Sequence, residues 1–177
     1  MLKKPPLTDE ERKVVRAKRK NSRKKVNVYF NKKSNGTPKY LTGEYFSNKN
    51  QESFIYRSSY ELAYYYKLEE DTNVITYMYE PFEVEYIDMY KKNRMYRPDL
   101  LILYKDGSMS IVEIKPEAML QDFTVQAKAS AAKKYIKDNY KDVKIDYKFI
   151  TEKNIFKTTN EYIEFLNIIK KDKKAKD

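Results

Sequence analysis

Two apolar runs separated by a three-residue turn set the tightest limit on what this chain can fold into. Tyr96 to Tyr104 (YRPDLLILY) and Ser108 to Lys115 (SMSIVEIK) flank Lys105-Asp106-Gly107. Both runs have the length and texture of strands, and the short polar link with its glycine is a hairpin signal. Pro116 ends the second run, because proline cannot donate to a ladder. Asp99 begins the first apolar stretch; Glu113 interrupts the second, and Lys115 follows one residue later. Side chains alternate along a strand, so Glu113 and Lys115 project to one face and Ile114 to the other. The hairpin can place Asp99 close to Glu113. Two carboxylates and a lysine would then meet in one pocket.

The rest of the chain reads as elements that would cover such a sheet. Ser58 to Leu68 carries apolar residues at helical spacing behind a good N-cap residue. Asn73 to Glu80 and Phe82 to Tyr90 read as strands broken by Pro81, and Lys91 to Asn93 as a turn. Phe123 to Tyr140 is expected to be a helix, Val143 to Ile150 a strand, and Thr158 to Ile169 a second amphipathic helix. Helix, three or four strands, helix, strand, helix is the order of an α/β domain, with a mixed β-sheet flanked by helices. Residues 31–55, rich in Asn, Lys, Gly and Ser, read as loop or linker. The expected organisation is a basic N-terminal arm and linker over 1–49, the α/β domain over 50–170, and a charged, frayed tail over 171–177.

Absent residue types narrow the chemistry. The 177 residues include no cysteine and no histidine. Disulfides, thiolate zinc sites, cysteine nucleophiles, Ser-His triads and imidazole ligands are thereby excluded. A metal would be held by oxygen atoms, which favours Mg²⁺, Mn²⁺ or Ca²⁺. No apolar run approaches the length of a membrane span, and the first residues lack the apolar stretch of a secretory signal. A soluble protein without membrane association, working in the cytoplasm, is the expectation.

Charge is unevenly spread. The net charge is 37 − 26 = +11. Residues 1–50 hold fifteen Lys/Arg against four Asp/Glu, whereas residues 51–177 hold twenty-two of each. The densest run contains Arg12, Arg16, Lys18, Arg19, Lys20, Arg23, Lys24 and Lys25. Cations at that density neutralise phosphates and release counterions, so backbone binding to nucleic acid is the favoured reading. A solvated tail that aids solubility or binds an acidic protein is the other.

The chemistry available to Asp99, Glu113 and Lys115 is coherent. Two carboxylates and a backbone carbonyl can hold Mg²⁺ and leave positions for water and phosphate. The metal polarises a phosphate and lowers the pKa of water. A lysine beside it can orient that water, offset developing charge, or serve as a base. Bland alternatives exist: Asp99 pairing with Arg97, or Glu113 and Lys115 as an exposed same-face ion pair.

Taken together, Pro98-Asp99 and Glu113-Ile114-Lys115 resemble the two halves of the PD-(D/E)XK nuclease motif. Within that superfamily the chain is most similar to head-completion nucleases of myovirus-type phages and to related transposon-end endonucleases. The resemblance is carried by Tyr56-Arg57-Ser58-Ser59-Tyr60-Glu61, Asn73-Val74, Tyr79-Glu80, Tyr96 to Asp99, Val112 to Pro116, Gln126-Ala127-Lys128 and Phe149 to Glu152. It spans about residues 40–155.

The resemblance implies a restriction-endonuclease-like fold and Mg²⁺-dependent hydrolysis of DNA phosphodiesters, with Mn²⁺ able to substitute. Asp99, Glu113 and the Ile114 carbonyl would bind the metal, and Lys115 would position or activate the water. Glu61 would bind a second metal or orient the first, although Ser58-x-x-Glu61 is also a capping box. Arg57 and Arg97 become candidate phosphate contacts or structural partners of nearby acids. Gln126 and Lys128 are weaker candidates for DNA contact, and Glu80 either approaches the site or only ends a strand.

The implied task is cutting or trimming DNA while a phage head is completed, with DNA and phage head proteins as partners. Transposon-end enzymes of this kind usually carry a further DNA-binding domain after the nuclease core, and the sequence stops soon after its last expected helix, which weighs toward the phage branch. A transposon-end, junction-resolving or restriction-type endonuclease is the alternative, as is a non-catalytic capsid or DNA-binding protein on the same fold. The sequence is silent on oligomeric state.

Overall fold

The strand Met109–Ile114 is buried along nearly its whole length, and the sheet is organised around it. The computed structural model describes residues 41–174, all within one compact unit. In chain order these are β1 (Gly43–Ser47), β2 (Glu52–Tyr56), α1 (Ser59–Glu70), β3 (Val74–Tyr79), β4 (Val84–Ile87), β5 (Asn93–Tyr96), β6 (Leu100–Tyr104), β7 (Met109–Ile114), a 3-10 turn (Glu117–Met119), α2 (Phe123–Asn139), β8 (Ile145–Ile150), α3 (Glu152–Ile155) and α4 (Thr159–Lys174). Among the described residues no helix is long and apolar enough to cross a membrane.

The main sheet has the order β3-β6-β7-β8. β3, β6 and β7 are antiparallel neighbours, while β8 lies parallel to β7. The β6–β7 turn closes through Gly107 at φ 78 and through Asp106, whose Oδ1 accepts from the Ser108 amide at 2.9 Å. A parallel neighbour needs a crossover, and α2 supplies it between β7 and β8. The result is a mixed sheet flanked by helices, consistent with a restriction-endonuclease-like fold.

Alternation along β7 divides its side chains between two sides. Val112 and Ile114 join the larger core with Tyr65 and Leu68 of α1, Tyr77 and Tyr79 of β3, and Leu100 and Ile102 of β6. Glu113 points the other way. Val84, Tyr96 and Ala132 form a second cluster, together with Phe82, Tyr135 and Tyr147.

The structure departs from the sequence expectations in four places. β1 and β2 stand within the stretch read as loop, because Phe54 and Tyr56 alternate inward and bury almost fully. The run from Tyr96 to Tyr104 is two strands rather than one. Pro98 breaks it, so Tyr96 ends the β4–β5 hairpin and Leu100 starts the main sheet. A short extra helix, α3, follows β8 behind a Thr151–Asn154 capping box. The last helix runs through Lys174, beyond the expected start of the frayed tail.

Glu69 ties β1 to the rest. It accepts from Ser47 Oγ at 2.5 Å, the Lys49 amide at 3.1 Å and Tyr77 Oη at 2.6 Å. Burial pushes its carboxyl pKa up, but these donors outweigh burial and leave it below the ordinary value. A depressed pKa means stability present above the ordinary carboxylate range and lost as pH falls. Glu69→Ala should therefore lower stability at pH 7 by about 1–3 kcal/mol, since it leaves buried hydroxyls without their acceptor. In urea unfolding, the gap between parent and variant should narrow as pH falls below 4.5.

Candidate active site

Register builds the site. Leu100 pairs with Val112 across the β6–β7 ladder, so the residue before Leu100 lies opposite the residue after Val112. These are Asp99 and Glu113. Asp99 Oδ2 accepts from the Ile114 amide at 2.7 Å. Lys115, two residues beyond Glu113, folds its side chain back over the same face. Its Nζ lies 2.7 Å from Glu113 Oε1, 3.7 Å from Asp99 Oδ2 and 3.1 Å from the Ile114 carbonyl. The three oxygen donors expected to hold a metal thus already surround one positive charge. Glu113 is only 3% exposed and the Asp99 side chain 21%. Neither the exposed ion pair nor an Asp99–Arg97 pair is what forms.

Electrostatics follow from crowding. Burial first, then the Glu113 carboxylate, push the Asp99 pKa up to about 8, although Lys115 and the Ile114 amide oppose the shift. Burial pulls the Lys115 ammonium down, but Asp99 and Glu113 outweigh it and leave the pKa raised. Lys115 is accordingly a fixed charge at neutral pH.

Two tyrosines not expected at the site back Glu113, Tyr96 directly and Tyr147 through Tyr96. Tyr96 Oη donates to Glu113 Oε2 at 2.5 Å and lies 3.2 Å from Tyr147 Oη. Burial and then Glu113 raise the Tyr96 pKa far above the ordinary phenol value, so this hydroxyl stays a donor. In a chain with eighteen tyrosines, only the position of Tyr96, three residues before Asp99, could have marked it.

Glu61 is brought near but is otherwise engaged. Its Oε2 accepts from the Arg57 amide at 2.8 Å and its Oε1 from Ser58 Oγ at 3.1 Å, while Ser58 Oγ accepts from the Glu61 amide at 3.1 Å. Ser58 thus caps α1, and Glu61 reaches back to the amide before the cap, a variant of the capping box. Burial raises its pKa, against the Arg57 amide, the Ser58 hydroxyl, and the charges of Arg57 and Lys115. Among the described residues no group of three or more Asp, Glu, His or Cys is clustered tightly enough to hold a metal. The donor set that fits a hard cation is therefore two carboxylates and one carbonyl, with water completing the shell. Glu61 could join it only by leaving its cap.

A cleft of 380 Å³ opens over these groups and is also lined by Arg57, Arg97, Lys128 and Glu80. Arg57 reaches Glu80 Oε1 at 2.7 Å, and Arg97 reaches Glu80 Oε2 at 3.6 Å and Glu83 Oε1 at 2.6 Å. Glu80 thus joins two candidate phosphate contacts, and its backbone at φ 44 is in the left-handed region that non-glycine residues rarely occupy. Its amide donates to the Asp99 carbonyl at 3.0 Å. Lys128 lies over the rings of Tyr96 and Tyr86, at 5.4 and 5.7 Å from their centroids. Gln126 does not reach the cleft; its amide donates to the Leu120 carbonyl, because its place in the first turn of α2 directs it back to the preceding loop. The basic residues from Arg12 to Lys25 lie outside the described residues.

A folded-state Asp99 pKa above the ordinary value means stability present at low pH and lost as pH rises toward 8. Asp99→Asn should therefore raise the stability of the metal-free protein at pH 8 by about 1–3 kcal/mol. The gain should vanish near pH 4, as measured by thermal unfolding in EDTA.

No curated protein matches the chain. Residues 71–152 match the family model described as TnsA-like endonuclease N terminal. That stretch runs from the end of α1 to the start of α3 and contains Asp99, Glu113 and Lys115, with Glu61 before it. The matched family belongs to the PD-(D/E)XK nuclease superfamily, and the matched residues carry Pro98-Asp99 and Glu113-Ile114-Lys115 at the adjoining ends of neighbouring strands of a mixed sheet.

Proposed function

We propose that this protein is a Mg²⁺-dependent DNA endonuclease that hydrolyses phosphodiester bonds in the cleft over Asp99 and Glu113. One observation carries the reading. The Lys115 ammonium sits among Asp99 Oδ2, Glu113 Oε1 and the Ile114 carbonyl, a cradle whose charge and hardness suit a divalent cation.

Asp99, Glu113 and the Ile114 carbonyl would hold the ion, and Tyr96 would keep Glu113 in place. When bound, Mg²⁺ polarises the scissile phosphate and makes water a better nucleophile. Water oxygen would bond to phosphorus and lose a proton to solvent as the bond to the leaving oxygen breaks, and that oxygen would take up a proton from solvent. Lys115 remains charged and offsets the negative charge that grows on the phosphate. Arg57 and Arg97 face the same cleft, and the substrate phosphates would compete with Glu80 and Glu83 for them. The basic N-terminal run supplies salt-dependent affinity for the DNA backbone, so sequence specificity is low.

For the setting, the motif contexts from Tyr56 to Glu61 and from Tyr96 to Pro116 support cutting or trimming DNA during completion of a phage head, alongside head proteins. A second setting, which rests on the resemblance to transposon-end endonucleases, is endonucleolytic cutting at the DNA ends of a transposon.

Plasmid cutting in Mg²⁺ or Mn²⁺ tests the proposal. The parent should nick or linearise DNA, and Asp99→Ala and Lys115→Ala should each slow cutting by about 100-fold or more. Equal rates for all three would refute the site. A preference for one specific end sequence over generic linear or branched DNA would favour the transposon setting.

A further inference from the structure

The hairpin of β4 and β5 forms a two-stranded sheet of its own, with Val84 paired to Tyr96 at one end and Ile87 to Asn93 at the other. The four most exposed large apolar side chains among the described residues all lie on it: Tyr90, Met89, Ile87 and Met95. Tyr90 and Met89 form the tip and are 72% and 61% exposed. Apolar groups so placed are costly in water and point to a partner.

The tip is rigidly built. Asp88 Oδ1 accepts from the amides of Tyr90 and Lys92, each at 2.9 Å, and its Oδ2 from Arg94 Nε at 3.0 Å. The Asp88 carbonyl accepts from the Lys91 amide at 3.0 Å, and the Asp88 amide donates to the Lys92 carbonyl at 2.9 Å. Lys91 adopts φ 59 to close the turn. This network presents Met89 and Tyr90 outward beside Lys91 and Lys92 without further ordering on binding.

The other end of the ribbon belongs to the cleft. Met95 and Tyr96 line it, and Tyr96 holds Glu113. From Tyr96 to Asn93 the strand covers about 10 Å, and Met89 and Tyr90 lie beyond Asn93 in the turn, so the tip is more than about three nucleotide steps, at ~3.4 Å each, from the cleft end. Arg94 pairs with Asp88, Glu83 and Glu85 lie toward the cleft end, and Lys91 and Lys92 leave the positive charge of the ribbon concentrated at its tip.

We propose that the β4–β5 ribbon enters a groove of duplex DNA and inserts Met89 and Tyr90 at a base step several nucleotides from the phosphate held in the cleft. A two-stranded ribbon fits the major groove, apolar side chains wedge base steps apart, and a tyrosine offers a face for the unstacked base. The wedge would fix the register of otherwise sequence-tolerant backbone contacts and favour substrates whose stacking is already weak, such as mismatched or branched duplexes. The inference rests on the nuclease reading only for the position of the phosphate.

The test uses the full chain, in EDTA, with duplexes carrying 2-aminopurine at successive positions. At saturating protein the parent should raise fluorescence severalfold at one or two positions. Met89→Ala/Tyr90→Ala should abolish the rise, and Tyr90→Phe should keep it. In Mg²⁺, the double variant should cut intact duplex about tenfold more slowly while losing less on mismatched duplex. No position-specific rise with the parent, or an equal rise with the double variant, overturns the proposal. So does a double variant that changes only the sedimentation mass, which would make the tip a protein contact. A hairpin-dependent rise without any cutting by the parent would support the wedge while refuting the nuclease reading.

Discussion

Two carboxylates forced together under one ammonium are the interaction on which the rest of this structure depends. Asp99 and Glu113 face each other across the β6–β7 ladder, where both would be ionised in water. Burial and mutual repulsion make that arrangement unfavourable, and the raised Asp99 pKa of about 8 records it. What holds them is a set of compensations that each use a neighbouring element. The Ile114 amide fixes Asp99, Tyr96 fixes Glu113, and Lys115 bridges both. A protein built only for stability would have put apolar residues there. On the proposed function, these acids would share their internal cation's place with an external one.

The same logic extends outward. Arg57 and Arg97 approach the cleft already paired with Glu80 and Glu83, so they are positioned without a ligand. Glu80 accepts a left-handed backbone to make these contacts, a strain of about 1–3 kcal/mol that clusters characteristically at functional sites. Lys115 and Glu80 therefore play parallel parts, each satisfying in the free protein a group that the substrate complex would engage.

Much of the geometry of the candidate site was legible because it depends on period and punctuation. Alternation alone placed Glu113 and Lys115 on one face and Ile114 on the other, and Lys105-Asp106-Gly107 set the register that brings Asp99 across. One expectation fails where polar residues mask the period and another where a proline interrupts it. β1 and β2 are five residues each within Asn- and Lys-rich sequence, so the inward alternation of Phe54 and Tyr56 was short. Pro98 carried its own warning, yet the apolar run around it was read as continuous. The pairing of Arg57 with Glu80 spans 23 residues, and the support of Glu113 by Tyr96 crosses two sheets. Such contacts depend on tertiary register, which local pattern does not encode. The capping box at Glu61 was legible as a motif, but only the structure showed its oxygens engaged by Arg57 and Ser58.

The central claim is that the oxygens around Lys115 Nζ form a divalent-cation site. Titration with Mn²⁺, followed by the loss of its free electron-paramagnetic signal at pH 7.5, tests this without reference to cutting. The account predicts saturable binding by the parent that Mg²⁺ competes away and that Glu113→Gln weakens at least tenfold. Absence of binding by the parent, or undiminished affinity in Glu113→Gln, would contradict it.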